Sequence, residues 1–273
     1  MKATITLCIL FSPLLFAAGT AQYSYFRGDP RSQGMSRAGV MLADHWSGLE
    51  NPAGLAGLRK TTFGICYSNN YLVSQLGTGA ASCGIITTTG NYGISFMSFG
   101  YSSFRQSVAS LCYGRNLGKK LRAGIGIHGL LISQAAGYGN LYAVIPSLGL
   151  QFIPVERVTF GIHAYNPAGQ EYIPAGYLVI PAGWQAGVGI RFGKEVLLCF
   201  EAEKNRKEHM NCYGGFEILL HEKIQVRFGL SSGTQTEMSF GIGFRSPRLQ
   251  VDLAATRHPA LGFSPAIGLA CSI

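Results

Sequence analysis

A chain of 273 residues that is 47% hydrophobic yet only 13% charged is short of solvating groups, since about a quarter of a soluble domain's residues carry charge. Its 37 glycines far exceed the usual fraction of about 7%. The net charge of +9 is spread along the chain, without the concentrated basic stripe and aromatic platforms that nucleic-acid binding requires, so nucleic acid is excluded as a partner.

Residues 1–21 hold one charge, Lys2, ahead of an apolar run from Ile5 to Ala18, and Gly19-Thr20-Ala21 places small residues just before Gln22. This is the layout of a cleaved secretory signal. A membrane-spanning helix needs about 20 apolar residues, more than this run supplies, so cleavage is expected in preference to an N-terminal anchor. No lipoprotein box accompanies it, because Cys8 lies inside the apolar run. No later run is long enough to span a bilayer as a helix.

Residues 22–60 lack sustained alternation and carry clusters of Pro, Gly and small residues, the mark of an irregular, compact stretch. Within it, 36–43 predicts a short strand or turn and Trp46 to Leu49 a helical turn. Asn51 precedes Pro52 and is therefore pushed out of the α region.

From residue 61 onward the pattern is period two, which predicts β-strands. The segments are 61–68, 76–87, 91–101, 105–115, 119–133, 140–152, 157–165, 184–192, 194–204, 208–219, 223–231, 235–245, 248–256 and 262–273. In 223–231, for example, Ile224, Val226, Phe228 and Leu230 alternate with Lys223, Gln225, Arg227 and Gly229. The spacing leaves room for the roughly 9 to 11 residues with which a tilted strand crosses a bilayer. Links after even strands are brief, such as Thr89-Gly90 and Ser246-Pro247, and several after odd strands are longer, such as Ser68 to Ser74 and Asn166 to Pro181. That parity fits short periplasmic turns and longer extracellular loops.

A secreted soluble sandwich would also alternate, but its outer face should be strongly charged. Here the non-apolar face is mostly Gly, Ser, Thr and Gln, as an enclosed lumen would be. The expected fold is all-β: a transmembrane antiparallel β-barrel of about fourteen strands. Residues 1–21 form the signal, 22–60 an N-terminal plug inside the lumen and 61–273 the barrel. Outward aromatics Phe152, Phe160, Trp184, Phe192, Phe240 and Phe244 either form interfacial girdles or fill lipid-facing surface. The basic excess suits contact with acidic lipopolysaccharide or anion selectivity of the lumen, and a plain solubility effect serves equally.

Alternation places Arg122, His128, Arg157, His163, Arg191, Glu195, Glu201 and Arg227 on the lumen, with Glu237, Arg245, Arg248 and Asp252. Charges enclosed there either pair across the barrel for structural reasons or set a polar path. No catalytic group is expected: nothing brings nucleophile, base and orienting group within reach. No Cys or His spacing resembles a metal site, and no cofactor is implied. Six cysteines follow the signal: Cys66, Cys83, Cys112, Cys199, Cys212 and Cys271. Pairing Cys199 with Cys212 would turn one strand inside out, so Cys199 is expected on the lumen face, Cys212 on the lipid face, and all six as free thiols.

The run from Gly28 to Asp44, followed by Asn51-Pro52-Ala53-Gly54-Leu55, resembles the FadL and PorV/PorQ group of bacterial outer-membrane barrels. Asn51, Pro52 and Ala53 match the plug motif of the FadL group. Gly34, Gly39, Val40, Ala43, Asp44 and Asn51 to Leu55 match the related PorV/PorQ pattern. Three positions depart from it: His45 stands where relatives often have a second acidic residue, Ser36-Arg37 replace a glycine pair, and the chain ends in Ile273, where an aromatic is common. The resemblance implies an outer-membrane location and passage of small hydrophobic or amphipathic compounds, with plug rearrangement opening the route. The alternative it implies is an accessory barrel of type IX secretion, with secretion-system proteins as partners.

Overall fold

The computed structural model describes residues 29–135, 139–169, 182–206, 209–233 and 235–273. The expected signal, 1–21, and the first residues of the expected plug, 22–28, lie outside the described residues. Among the described residues, fourteen strands follow one another. They are β1 (Thr62–Asn69), β2 (Gly77–Ile86), β3 (Asn91–Tyr101), β4 (Phe104–Asn116), β5 (Leu121–Gln134), β6 (Gly139–Val155) and β7 (Val158–Tyr165). The second half comprises β8 (Gly183–Phe192), β9 (Val196–Asn205), β10 (Asn211–Leu220), β11 (Ile224–Ser232), β12 (Glu237–Arg245), β13 (Leu249–His258) and β14 (Gly262–Ser272). Each pairs antiparallel with its sequence neighbours and β1 pairs with β14, closing the barrel.

The alternation acts as expected. Phe63, Ile65 and Tyr67 on β1, or Phe240, Ile242 and Phe244 on β12, point outward and are exposed. So are Phe152, Phe160, Trp184 and Phe192. An outward surface this apolar is stable only against lipid. Cys199 faces inward opposite Gly215, whereas Cys212 faces outward opposite Ala202. β6 runs to Val155, beyond the expected 152, because the register shifts between Phe152 and Val155, as a β-bulge produces.

Residues 29–57 lie inside the barrel. Asp29 caps α1 (Pro30–Gln33), accepting hydrogen bonds from the amides of Arg31 and Ser32 at 2.9 and 3.0 Å. Ser36 and Arg37 then take φ of 52° and 70°, the left-handed region that glycine occupies freely. The stretch 36–43 is turn, without a strand, and α2 spans Ser47–Glu50. Asn51 caps a 3-10 helix over Pro52–Gly57 by accepting from the Ala53 amide at 3.1 Å, and Pro52 occupies its first position.

Candidate functional site

The interior is layered, because strand register sets inward side chains side by side. Nearest the end where the inner segment enters β1, wall glycines admit its backbone. A Cβ on Gly124 would lie 2.2 Å from the Pro52 carbonyl carbon, and one on Gly149 2.0 Å from Asn51 Oδ1. Gly114, Gly161, Gly215 and Gly229 make equivalent close approaches. Much of the unusual glycine content is thus a cradle for the inner segment.

Wall side chains satisfy that segment's backbone, as buried amides and carbonyls require. Asn91 Nδ2 donates to the Leu55 carbonyl at 2.7 Å, Asn116 Nδ2 to Ala56 at 3.1 Å, and Ser82 Oγ to His45 at 2.6 Å. Gln151 Nε2 donates to the Leu42 carbonyl at 2.8 Å. Across the lumen, Glu201 Oε2 accepts from the amides of Gly39 and Val40, both at 2.8 Å. Asn51, fully buried, donates through Nδ2 to the Val40 carbonyl at 2.7 Å.

An ion network ties α1 to the wall. Arg31 grips Glu217 with two bonds, 2.9 Å from Nε and 2.8 Å from Nη2, and reaches Asp44 at 3.2 Å. Glu217 also accepts from Arg227 Nε at 2.7 Å, and Arg227 continues to Asp252 at 2.6 Å. Burial alone would lower the Arg31 pKa, but Glu217 reverses this and holds the guanidinium charged. Burial, followed by the carboxylates of Asp44 and Asp252, pushes Asp29 up to about 7. His45, also enclosed, is held below the ordinary histidine range by burial.

Above the glycines, Ser82, Ser95, Ser110 and His128 are successive cross-strand neighbours. His128 sits between two hydroxyls, Ser110 at 2.7 Å and Ser147 at 2.9 Å. One layer further from the termini, Cys66, Ala80, Met97, Val108, Leu130 and Ala143 are likewise consecutive neighbours around β1 to β6. They pack with Ile132, Ile145, Trp46 and Leu49. The facing wall is polar: His163 Nδ1 meets Gln185 at 3.0 Å, Gln185 donates to Glu203 at 3.3 Å, and Tyr213 donates to Glu203 at 2.7 Å. The far half of the interior therefore has one greasy wall and one hydrogen-bonding wall.

Of the residues expected on the lumen, His128, His163, Glu201, Arg227 and Asp252 are inward and buried. Arg122 is half-buried and bonds Gln151 at 3.3 Å. Glu237 is half-buried at the far end of β12, and Arg191 and Arg245 occupy inward positions at strand ends where they are exposed. Arg157, Glu195 and Arg248 correct the expectation: they stand exposed in the short turns, where alternation no longer assigns a face. Asp44 joins the ion network, while Gly34 approaches Gly241 and Gly39 leaves space for the Glu50 carboxylate. Pro52, Ala53, Gly54 and Leu55 form the buried 3-10 helix. Sequence reasoning missed Arg31, Glu217, Glu203 and the apolar layer. Among the described residues, no cluster of His, Cys, Asp and Glu could hold a metal ion.

The closed fourteen-strand antiparallel barrel is a fold shared with FadL-type barrels. Similar solved structures are the CymD monoaromatic hydrocarbon channel, at 13% identity and TM-score 0.66 over 89% of this chain and 96% of that one, and the P. putida toluene transporter TodX, at 10% and 0.67 over 88% and 98%. A Pseudomonas aeruginosa FadL homologue matches at 11% and 0.61 over 89% and 96%. At such identities the likeness establishes the fold. No family model and no curated protein matches the chain.

Proposed function

We propose that the protein sits in the bacterial outer membrane and passes small hydrophobic or amphipathic compounds through a barrel that residues 29–57 plug. The carrying observation is the apolar layer of Met97, Val108, Leu130 and their neighbours, facing inward. Interiors of membrane barrels are ordinarily polar, and a wall that leaves no hydrogen bonds to offer suits a ligand that needs none. The polar wall of Gln185, Glu203 and Tyr213 opposite would receive the head of an amphipathic compound. The fold is shared with structures described as toluene transporters and a monoaromatic hydrocarbon channel, which supports the same cargo class. Movement of the inner segment would open the way past the glycine cradle. The secretion-accessory expectation draws no support from these structures.

The test is uptake of the hydrophobic fluorophore N-phenylnaphthylamine by cells whose outer membrane otherwise excludes it. Production of the protein should speed uptake, and Leu130→Asp should slow it at least about tenfold, equal to about 1.4 kcal/mol. Uptake no faster than in cells lacking the protein, with the barrel folded in the membrane, would end the proposal.

A further inference from the structure

The basic excess is concentrated at one end of the barrel. Both chain ends of the strand cylinder, Thr62 and Ser272, and all six short turns share that end. Arg59 and Lys60 precede β1, and Arg115, Lys119 and Lys120 flank the link from β4 to β5; all are exposed. Arg157, Lys194, Lys223 and Arg248 add one exposed cation to each of the turns after β6, β8, β10 and β12, and the turn after β2 carries none. Only three exposed acids, Glu156, Glu195 and Glu222, oppose these nine cations. At the other end, the exposed cations on and beside the strands are Arg105, Lys204, Arg206 and Arg257 among the described residues.

The depth of this collar is set by what adjoins it. Phe192 lies two residues before Lys194, Ile224 follows Lys223, Leu249 follows Arg248, and Tyr113 lies two residues before Arg115 on the same outward face. Phe192, Ile224 and Leu249 are exposed on the lipid-facing surface. Tyr113 packs against Tyr92 with ring centroids 5.1 Å apart and donates its hydroxyl to the Thr89 carbonyl in the turn, the posture of an interfacial aromatic. The cations therefore begin where the apolar band stops, at headgroup level.

We propose that this collar binds the phosphates of anionic phospholipids in the periplasmic leaflet. Short turns mark the periplasmic end, lipopolysaccharide occupies the opposite leaflet, and clustered Lys and Arg at a bilayer surface attract anionic headgroups. Of the three uses that the sequence leaves open for the positive charge, lipopolysaccharide contact, anion selectivity and solubility, none is this one: the collar faces the leaflet opposite lipopolysaccharide. This holds whether or not anything passes through the barrel.

Native mass spectrometry of the full chain in detergent, titrated with equal amounts of phosphatidylglycerol and phosphatidylethanolamine, reads the preference. The unmodified protein should retain phosphatidylglycerol several-fold more often, and less so as salt rises. The combined variant Lys119→Gln, Lys120→Gln, Lys194→Gln, Lys223→Gln and Arg248→Gln should retain the two lipids about equally, while keeping heat-modifiable gel mobility. Neutralising Arg105, Lys204, Arg206 and Arg257 instead should leave the preference intact. Equal retention by the unmodified protein, loss of preference only in the far-end variant, or equally tight binding of a soluble polyglutamate peptide would overturn the proposal.

Discussion

Asn51 shows how much a single side chain does here. Its Oδ1 caps the 3-10 helix, its Nδ2 holds the Val40 carbonyl, and Gly149 leaves it room. Asn51→Ala should lower stability by about 1–3 kcal/mol, the cost of orphaning buried polar groups, as read from the urea midpoint in detergent. Ser36 makes the opposite case: it holds a left-handed φ of 52° and its buried hydroxyl has no hydrogen-bond partner. Left-handed backbone costs a non-glycine residue about 1–2 kcal/mol. After allowing for the extra chain freedom of glycine, Ser36→Gly should raise stability by about 1 kcal/mol. Asp29, pushed up to about 7, stabilises the fold when protonated. Its contribution is complete below the ordinary carboxylate pKa of about 3.9 and is lost as pH rises through 7. Asp29→Asn retains an acceptor for the cap and should remove that part of the fall in midpoint between pH 4 and 8; an unchanged pH profile would refute this role. The Asn-Pro-Ala triplet was legible from sequence because it is local. The Arg31–Glu217 pair was not, since 186 residues separate its members and nothing in either neighbourhood names the other.

Among elements, the strands were legible because lipid on one side and a crowded interior on the other enforce period two. All fourteen expected segments correspond to strands, with ends shifted by up to three residues. Several shifts fall where alternation stops deciding anything, in the turns holding Arg157, Glu195 and Arg248 and at the irregularity near Val155, and others trim or extend strand ends, as at β10, which begins at Asn211. The apolar layer was hidden for a related reason. Leu130-Leu131-Ile132 and Leu141 to Ile145 are unbroken apolar runs, so both faces are greasy and period two falls silent; the unbroken runs were themselves the available signal. The glycine cradle makes its own prediction. Gly124→Val places carbon against the backbone of Pro52 and Ala53, an overpacking that costs about 1–3 kcal/mol or more. Trypsin should then cut after Arg31, which the unmodified protein protects by burial, while the barrel keeps heat-modifiable mobility. Continued protection would mean that the inner segment does not depend on that seat.

At the scale of the molecule, a cylinder of strands turns apolar side chains to lipid and fills the half nearest its short turns with its own N-terminal segment. The far half is divided between an apolar and a polar wall. Charge is arranged on a third principle, with a paired network inside and a basic collar at one rim. Such a barrel should exclude ions even though fourteen strands enclose it. Conductance across a planar bilayer measures that directly. The intact chain should show no steady ionic current, and removal of residues 29–57, with heat-modifiable mobility confirming a folded barrel, should open one. Steady current through the intact protein would contradict the account.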